Sequence, residues 1–362
     1  MVARLIRTAL RSALNQVKYV TPVSPRRATD LTAEVYRQVE RDFGMLAPPV
    51  CLHSPAPATM AAVWAMLRES LVVTTSVSRA TKEAVAAGVS IGNTCPYCVE
   101  VHAATLGGLG GDAEALAVRE PDRITDPELR EIATWARDSG TAAGTAGRRW
   151  PFPVAHAPQL IGVAVTFHYL NRMVNVFLDD SPLPPTVPGG ARATARRFLG
   201  RFMRGAARRQ RRPGESVSLL APATPAIDLT WTAGEPHLSD AFGRAAATID
   251  AAAAASVPRS VRDLVTAELS DWDGEPPGLS RAWLDRAVRS LPTADQPAGR
   301  LALLVAKASY QVDPDSVADY RASDSRDSAL VELVSWAAFA AARRAGSRLA
   351  GQEPGRAASS AA

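Results

Sequence analysis

Asn93-Thr94-Cys95-Pro96-Tyr97-Cys98-Val99-Glu100-Val101-His102-Ala103-Ala104-Thr105-Leu106 is the stretch on which the reading of this chain turns. Two of the three cysteines and one of the five histidines fall within eight residues of it. Asn93 or Thr94 offers a cap, and Pro96 falls in a first turn where its missing N–H costs nothing, so the stretch predicts a helix. At about 100° per residue Cys95, Cys98 and His102 then share one face, while Glu100 points away. A thiol at a helix N-terminus meets unpaired N–H groups, which favour the thiolate, the attacking form. An imidazole one turn on can take the thiol proton, and a second thiol on the same face can attack the first once it is oxidised and close a disulfide. The pattern suits a cycle of oxidation and resolution.

The rest of the chain suggests helices throughout. Its 362 residues leave room for two domains or one doubled domain. Alanine is abundant, aromatic residues make up only 6%, and the alternation that strands require is scarce, so the expected class is all-α. The net charge of +5 comes from 41 cations, of which 38 are arginine. That bias is compositional, and no nucleic-acid partner is expected from it. Three cysteines do not make a disulfide scaffold, and the CxxC spacing reads as redox or metal chemistry in a reducing compartment, by default the cytoplasm. Between Met1 and Val20, Arg4, Arg7, Arg11 and Lys18 alternate with Leu5, Ile6, Leu10, Leu14 and Val17, without the apolar run of a signal peptide. An amphipathic first helix packed on the domain is expected there, in preference to a membrane-surface helix. The most apolar segment, Ile161 to Leu178, contains His168, Asn171, Arg172 and Asn175, which argue for a buried bundle helix and against an integral membrane segment.

Further helices are expected over Asp30 to Phe43, Thr59 to Thr74, Ser78 to Ile91 and from Asp126, with the glycine cluster Gly107 to Gly111 ending the CxxC helix. Residues 181–230 read as a Pro/Gly/Arg-rich linker. Arg192, Arg196, Arg197, Arg201, Arg204, Arg208, Arg209, Arg211 and Arg212 surround Phe198, Leu199, Phe202 and Met203 there. A solvated helix touching acidic surface of its own protein is the preferred reading, ahead of nucleic-acid or anionic-membrane binding. Slid against itself by 180 residues, the chain pairs Ser76-Val77-Ser78-Arg79 with Ser256-Val257-Pro258-Arg259, and Pro96 with Pro276. In that register Cys95, Cys98 and His102 become Glu275, Gly278 and Ala282, so the second copy is chemically empty. The expected organisation is 1–54 (N-terminal helices and a proline-rich loop), 55–180 (the CxxC unit), the linker, 231–350 (a degenerate unit) and 351–362 (a disordered tail).

Glu83, then Cys95-Pro96-Tyr97-Cys98, then His102, resembles the Glu…CxxCxxxH signature of the alkylhydroperoxidase AhpD-like, carboxymuconolactone decarboxylase-like proteins, with similar spacing throughout. Phe167-His168-Tyr169-Leu170-Asn171-Arg172 is similar to the helix that closes the family's core unit. The resemblance implies an AhpD-like helical bundle, often duplicated, and assembly into homo-oligomers. It gives Cys98 the role of peroxidatic thiol, Cys95 that of resolving thiol, His102 that of base, and Glu83 that of the carboxylate orienting the histidine. Tyr97 stands where some relatives carry a histidine. The decarboxylase branch generally lacks the paired cysteines, so the resemblance leans towards a thiol peroxidase acting on hydrogen peroxide or organic hydroperoxides. Such an enzyme needs a dithiol or protein reductant but no cofactor or metal. Without the resemblance, Glu83 is a surface partner of Arg79 one turn away. Two other readings are a zinc-binding structural protein, with Cys51 or His53 as fourth ligand, and a redox-sensing or scaffold protein of the same fold. Val99 directly after Cys98 excludes a c-type haem site.

Overall fold

The computed structural model describes residues 16–110, 120–183 and 187–352, so the expected first helix and the expected disordered tail lie largely outside the described residues. Prolines and short polar caps set most of the helix starts. The helices are α1 (Asp30–Asp42), α2 (Pro57–Leu67, continued by one π-helical turn, Arg68–Val72), α3 (Arg79–Gly92), α4 (Pro96–Gly110), α5 (Pro127–Asp138) and α6 (Ala157–Phe177). They continue with α7 (Arg192–Ala207), α8 (Pro236–Ser256), α9 (Arg259–Ser270), α10 (Gln296–Ala308), α11 (Pro314–Arg321) and α12 (Asp327–Ala350). Among the described residues there is no strand, and the protein is all-α. Ser78 caps α3 by accepting from Thr81 N, and Asp126 caps α5 by accepting from Glu128 N and Leu129 N.

α6 is apolar on nearly every side and is buried for almost its whole length. It packs along α12 on one flank and α3 on the other, while α2 packs against α8. Side chains from both halves of the chain, among them Trp64, Phe167, Phe177, Phe242, Leu333 and Phe339, therefore form one continuous apolar core. Burial of each such side chain contributes about 1.5–3 kcal/mol. Tyr169 of α6 ties the halves together in a polar contact, its hydroxyl lying 2.7 Å from His53 Nε2 and 2.8 Å from Ser335 Oγ of α12. No described helix is long and apolar enough to cross a membrane.

The second half follows the first in helix order. α3 begins at Arg79 and α9 at Arg259, 180 residues on; α6 begins at Ala157 and α12 at Asp327, 170 residues on. Where the register would place a second CxxC helix, Glu275 and Gly278 lie in a loop, followed only by a short helix, Ala282–Ala287.

α4 runs through Gly107 and Gly108 and reaches Gly110, inside the glycine cluster expected to end it. The reason is tertiary: α7 crosses α4 so closely that a Cβ on Gly108 would sit 2.3 Å from Gly200 O, and one on Gly200 2.2 Å from Ala104 O. Asn93 does not cap α4 with its side chain, which is drawn instead to His168 and Asn171 of α6.

Candidate active site

Four elements meet at the thiols: the turn from α3 into α4, α4 itself, the middle of α3 and the middle of α6. Thr94 takes a left-handed backbone conformation (φ 52°), which turns the chain sharply between the two helices. Cys95 stands just before α4, its N–H bonded to Ser90 O at 2.9 Å, and Cys98 lies in the first turn. Their sulfurs are 2.8 Å apart, both thiols are free, and both are buried.

His102 follows one turn after Cys98. Its Nδ1 lies 2.6 Å from Glu83 Oε2, reaching across from α4 to α3. The other oxygen of Glu83 accepts from Arg79 Nε at 2.7 Å, so the Arg79 contact and the His102 contact coexist on one carboxylate. Burial pushes the Glu83 carboxyl up, but the Arg79 and His102 charges and their hydrogen bonds outweigh it and hold it below the usual carboxylate range. An anionic Glu83 takes the Nδ1 proton of His102 as a hydrogen bond, which leaves Nε2 as the ring nitrogen free to accept a proton. The edge of Phe167 packs against this ring at a centroid distance of 4.5 Å and fixes its plane.

Behind Cys95 lies a second polar layer from α6. Ser90 donates to Ala86 O at 2.6 Å, so its oxygen is the acceptor for Asn171 Nδ2 at 2.9 Å. That orients the Asn171 amide, whose Oδ1 accepts from Asn93 Nδ2 at 3.0 Å. The Asn171 side chain also bonds Cys95; burial, and after it the neighbouring Cys98, hold the Cys95 thiol well above the ordinary range, and the Asn171 contact acts in the opposite direction. Ser139 donates to Ala136 O at 2.6 Å, so His168 Nε2 donates to Ser139 Oγ at 2.8 Å and His168 Nδ1 accepts from Asn93 at 3.0 Å. Burial lowers the His168 pKa well below the usual value and keeps the ring neutral.

The structure thus brings Cys95, Cys98, His102 and Glu83 together. Asn93, Asn171, Ser90, Ser139 and His168 join them through contacts that sequence spacing does not show; the signal available was a set of polar side chains on the most apolar helix. Cys51 and His53 are engaged elsewhere, Cys51 with Tyr36 and His53 with Tyr169 and Val50 O. Among the described residues no group of three His, Cys, Asp or Glu side chains is arranged to hold a metal ion.

A helical bundle that backs a dithiol with an imidazole–carboxylate couple defines a class of thiol protein. The model of the carboxymuconolactone decarboxylase family matches residues 57–150, the segment that supplies Glu83, Cys95, Cys98 and His102. Over 334 residues, 91% of this chain and 94% of the relative, the sequence is 38% identical to an alkyl hydroperoxide reductase of Mycobacterium tuberculosis. The chain belongs to the carboxymuconolactone decarboxylase family.

Proposed function

We propose that the protein is a thiol-dependent peroxidase that reduces hydrogen peroxide or organic hydroperoxides through Cys98 and Cys95. One observation carries the proposal: a fully buried carboxylate, Glu83, bonded at 2.6 Å to the imidazole that follows the CxxC pair by one turn. A structural CxxC has no use for a buried ion pair whose desolvation is costly, whereas proton transfer at a thiol does. The name of the 38% identical relative supports the same reading.

In the first step His102 Nε2 takes the Cys98 proton. The thiolate attacks the distal peroxide oxygen, the O–O bond breaks, and the imidazolium returns the proton to the departing alkoxide. Cys98 is now a sulfenic acid, and one alcohol has left. Cys95, whose sulfur lies 2.8 Å away, attacks the Cys98 sulfur and expels the sulfenic oxygen as water, closing a disulfide. An external dithiol reopens it by exchange, taking up the two oxidising equivalents.

The test is hydroperoxide consumption with dihydrolipoamide or another dithiol as donor, beside Cys98→Ser and Cys95→Ser. Both variants should lose turnover, and only Cys95→Ser should accumulate a sulfenic acid that a dimedone probe traps. Consumption that survives Cys98→Ser would remove the proposal.

A further inference from the structure

α7 and the turn after it carry more positive charge than the described carboxylates neutralise. Of its arginines, Arg196 meets an acid, with Nε 2.9 Å from Glu100 Oε1. Arg211, beyond the helix, lies 3.6 Å from Asp42. Arg197, Arg201, Arg204, Arg208 and Arg209 are exposed, and no described carboxylate lies within ion-pairing distance of any of them. The inner face of the helix is used in packing, with Gly200, Met203 and Ala207 buried and Gly200 pressed on α4. At about 100° per residue, Arg197, Arg201, Arg204 and Arg208 form a stripe about 60° wide on the outer side. Phe198, 53% exposed, stands on the crest beside them.

We propose that this outer face of α7 docks on a membrane surface rich in anionic lipid, with the arginines on headgroup phosphates and Phe198 at the boundary of headgroups and acyl chains. Three features support a lipid surface. Arginines at intervals of three and four residues lie about 5–6 Å apart along the axis, so the stripe can meet a flat array of phosphates along its whole length. Guanidinium groups bind phosphate oxygens in pairs. On α7 the one exposed large aromatic is Phe198, on a convex helix, which suits insertion into an interface; single-stranded nucleic acid is held by several stacked aromatics along a groove. The helix also docks on the side of α4 that bears Glu100, Ala104 and Gly108, opposite Cys98 and His102, so membrane attachment leaves the thiols uncovered. The inference concerns attachment and is independent of the peroxidase reading.

The experiment is co-sedimentation of the full chain with vesicles of phosphatidylcholine, with and without phosphatidylglycerol, over a range of NaCl concentrations. Binding should require phosphatidylglycerol and fall steeply with salt. Removing one arginine charge should weaken partitioning roughly fivefold, and the triple variant Arg197→Glu, Arg201→Glu, Arg204→Glu should weaken it by at least about a hundredfold. Phe198→Ala should cause a smaller loss that persists at high salt. All these side chains are exposed, so the thermal midpoint and the reactivity of the thiols with a soluble hydroperoxide should stay as in the parent chain. Equal binding to neutral vesicles, absence of binding, or full anionic binding by the triple variant overturns the proposal. So does tighter capture of single-stranded or duplex nucleic acid at the same ionic strength, lost in the same triple variant.

Discussion

Glu83 is fully buried yet held as an anion by the Arg79 guanidinium and the hydrogen bond from His102, and this fixes what its replacement should do. Glu83→Gln keeps the shape and removes the charge that orients His102, so oxidation of Cys98 by a hydroperoxide should slow by about a hundredfold in stopped-flow traces. A loss below threefold would mean that the carboxylate serves packing only. The depressed pKa has a consequence for stability: the contribution of Glu83 is complete above the unfolded carboxyl value of about 4.3 and is lost as pH falls through the lower folded value. Urea midpoints of the parent chain should therefore drop below about pH 4, and Glu83→Gln should lack that part of the drop. Next to it, Lys82 has a dependence of the same sign in a higher pH window, for the opposite reason: the fold disfavours its charge. Burial and then Arg79 lower its pKa to about 7, and its Nζ finds only Val73 O, at 2.7 Å. The unfolded ammonium keeps its proton to about 10.4, so between these values the unfolded state binds more protons and stability rises with pH. Lys82→Met should flatten that rise; an unchanged slope would assign it to another group. At this scale the sequence was legible where spacing is local: the two cysteines and His102 sit on one turn-and-helix segment. Glu83 came from the resemblance, and its bond to Arg79, read as an alternative, exists beside the bond to His102. His168 was legible only as a side chain that could line the pocket from the closing helix, with a core histidine preferred, and Asn171 was not legible as a neighbour of the thiols, because Asn93 meets both across more than seventy residues of chain.

At the scale of helices, the glycines of α4 show how a tertiary contact overrides a local signal. Glycine in a helix interior costs about 0.5–1 kcal/mol relative to alanine, and a glycine cluster ordinarily marks an end. Here Gly108 of α4 and Gly200 of α7 let two backbones touch, so the helix passes through the first glycines of the cluster before it reaches Gly110. The basic segment, expected as a solvated linker helix touching acidic surface of its own protein, is a helix seated on the CxxC helix, where Arg196 meets Glu100. Gly200→Val would place side-chain atoms within the space of Ala104 O and should force α7 away from α4, costing about 1–3 kcal/mol. The checks are a lower thermal midpoint and faster proteolysis within residues 187–212. An unchanged midpoint would show that α7 is not held by this contact.

At the scale of the whole chain, the second half supports the half that carries the proposed site. The loop before Ala282 docks on the segment after α5, where Ala142 N donates to Asp273 O at 2.6 Å, and from α12 Arg348 Nη2 donates to Gly140 O at 2.6 Å. Gly274 has φ 94° and lies so close that a Cβ there would sit 1.9 Å from Gly140 O. One residue before Gly140, Ser139 holds His168, which holds Asn93 beside the thiols. With Tyr169 bonded to Ser335 and one shared core, the two halves should unfold together. Gly274→Ala tests this from outside the thiol-bearing half. The substitution meets both a disfavoured backbone angle and a backbone oxygen, so the urea midpoint should fall by the equivalent of at least about 1 kcal/mol. Exposure of Cys95 and Cys98 to a thiol reagent, which reports on the first half, should shift by the same amount as loss of helical circular dichroism. Thiol exposure that kept its parental midpoint while the helical signal moved would show instead that the halves unfold independently, and that the chemically empty half does not stabilise the site.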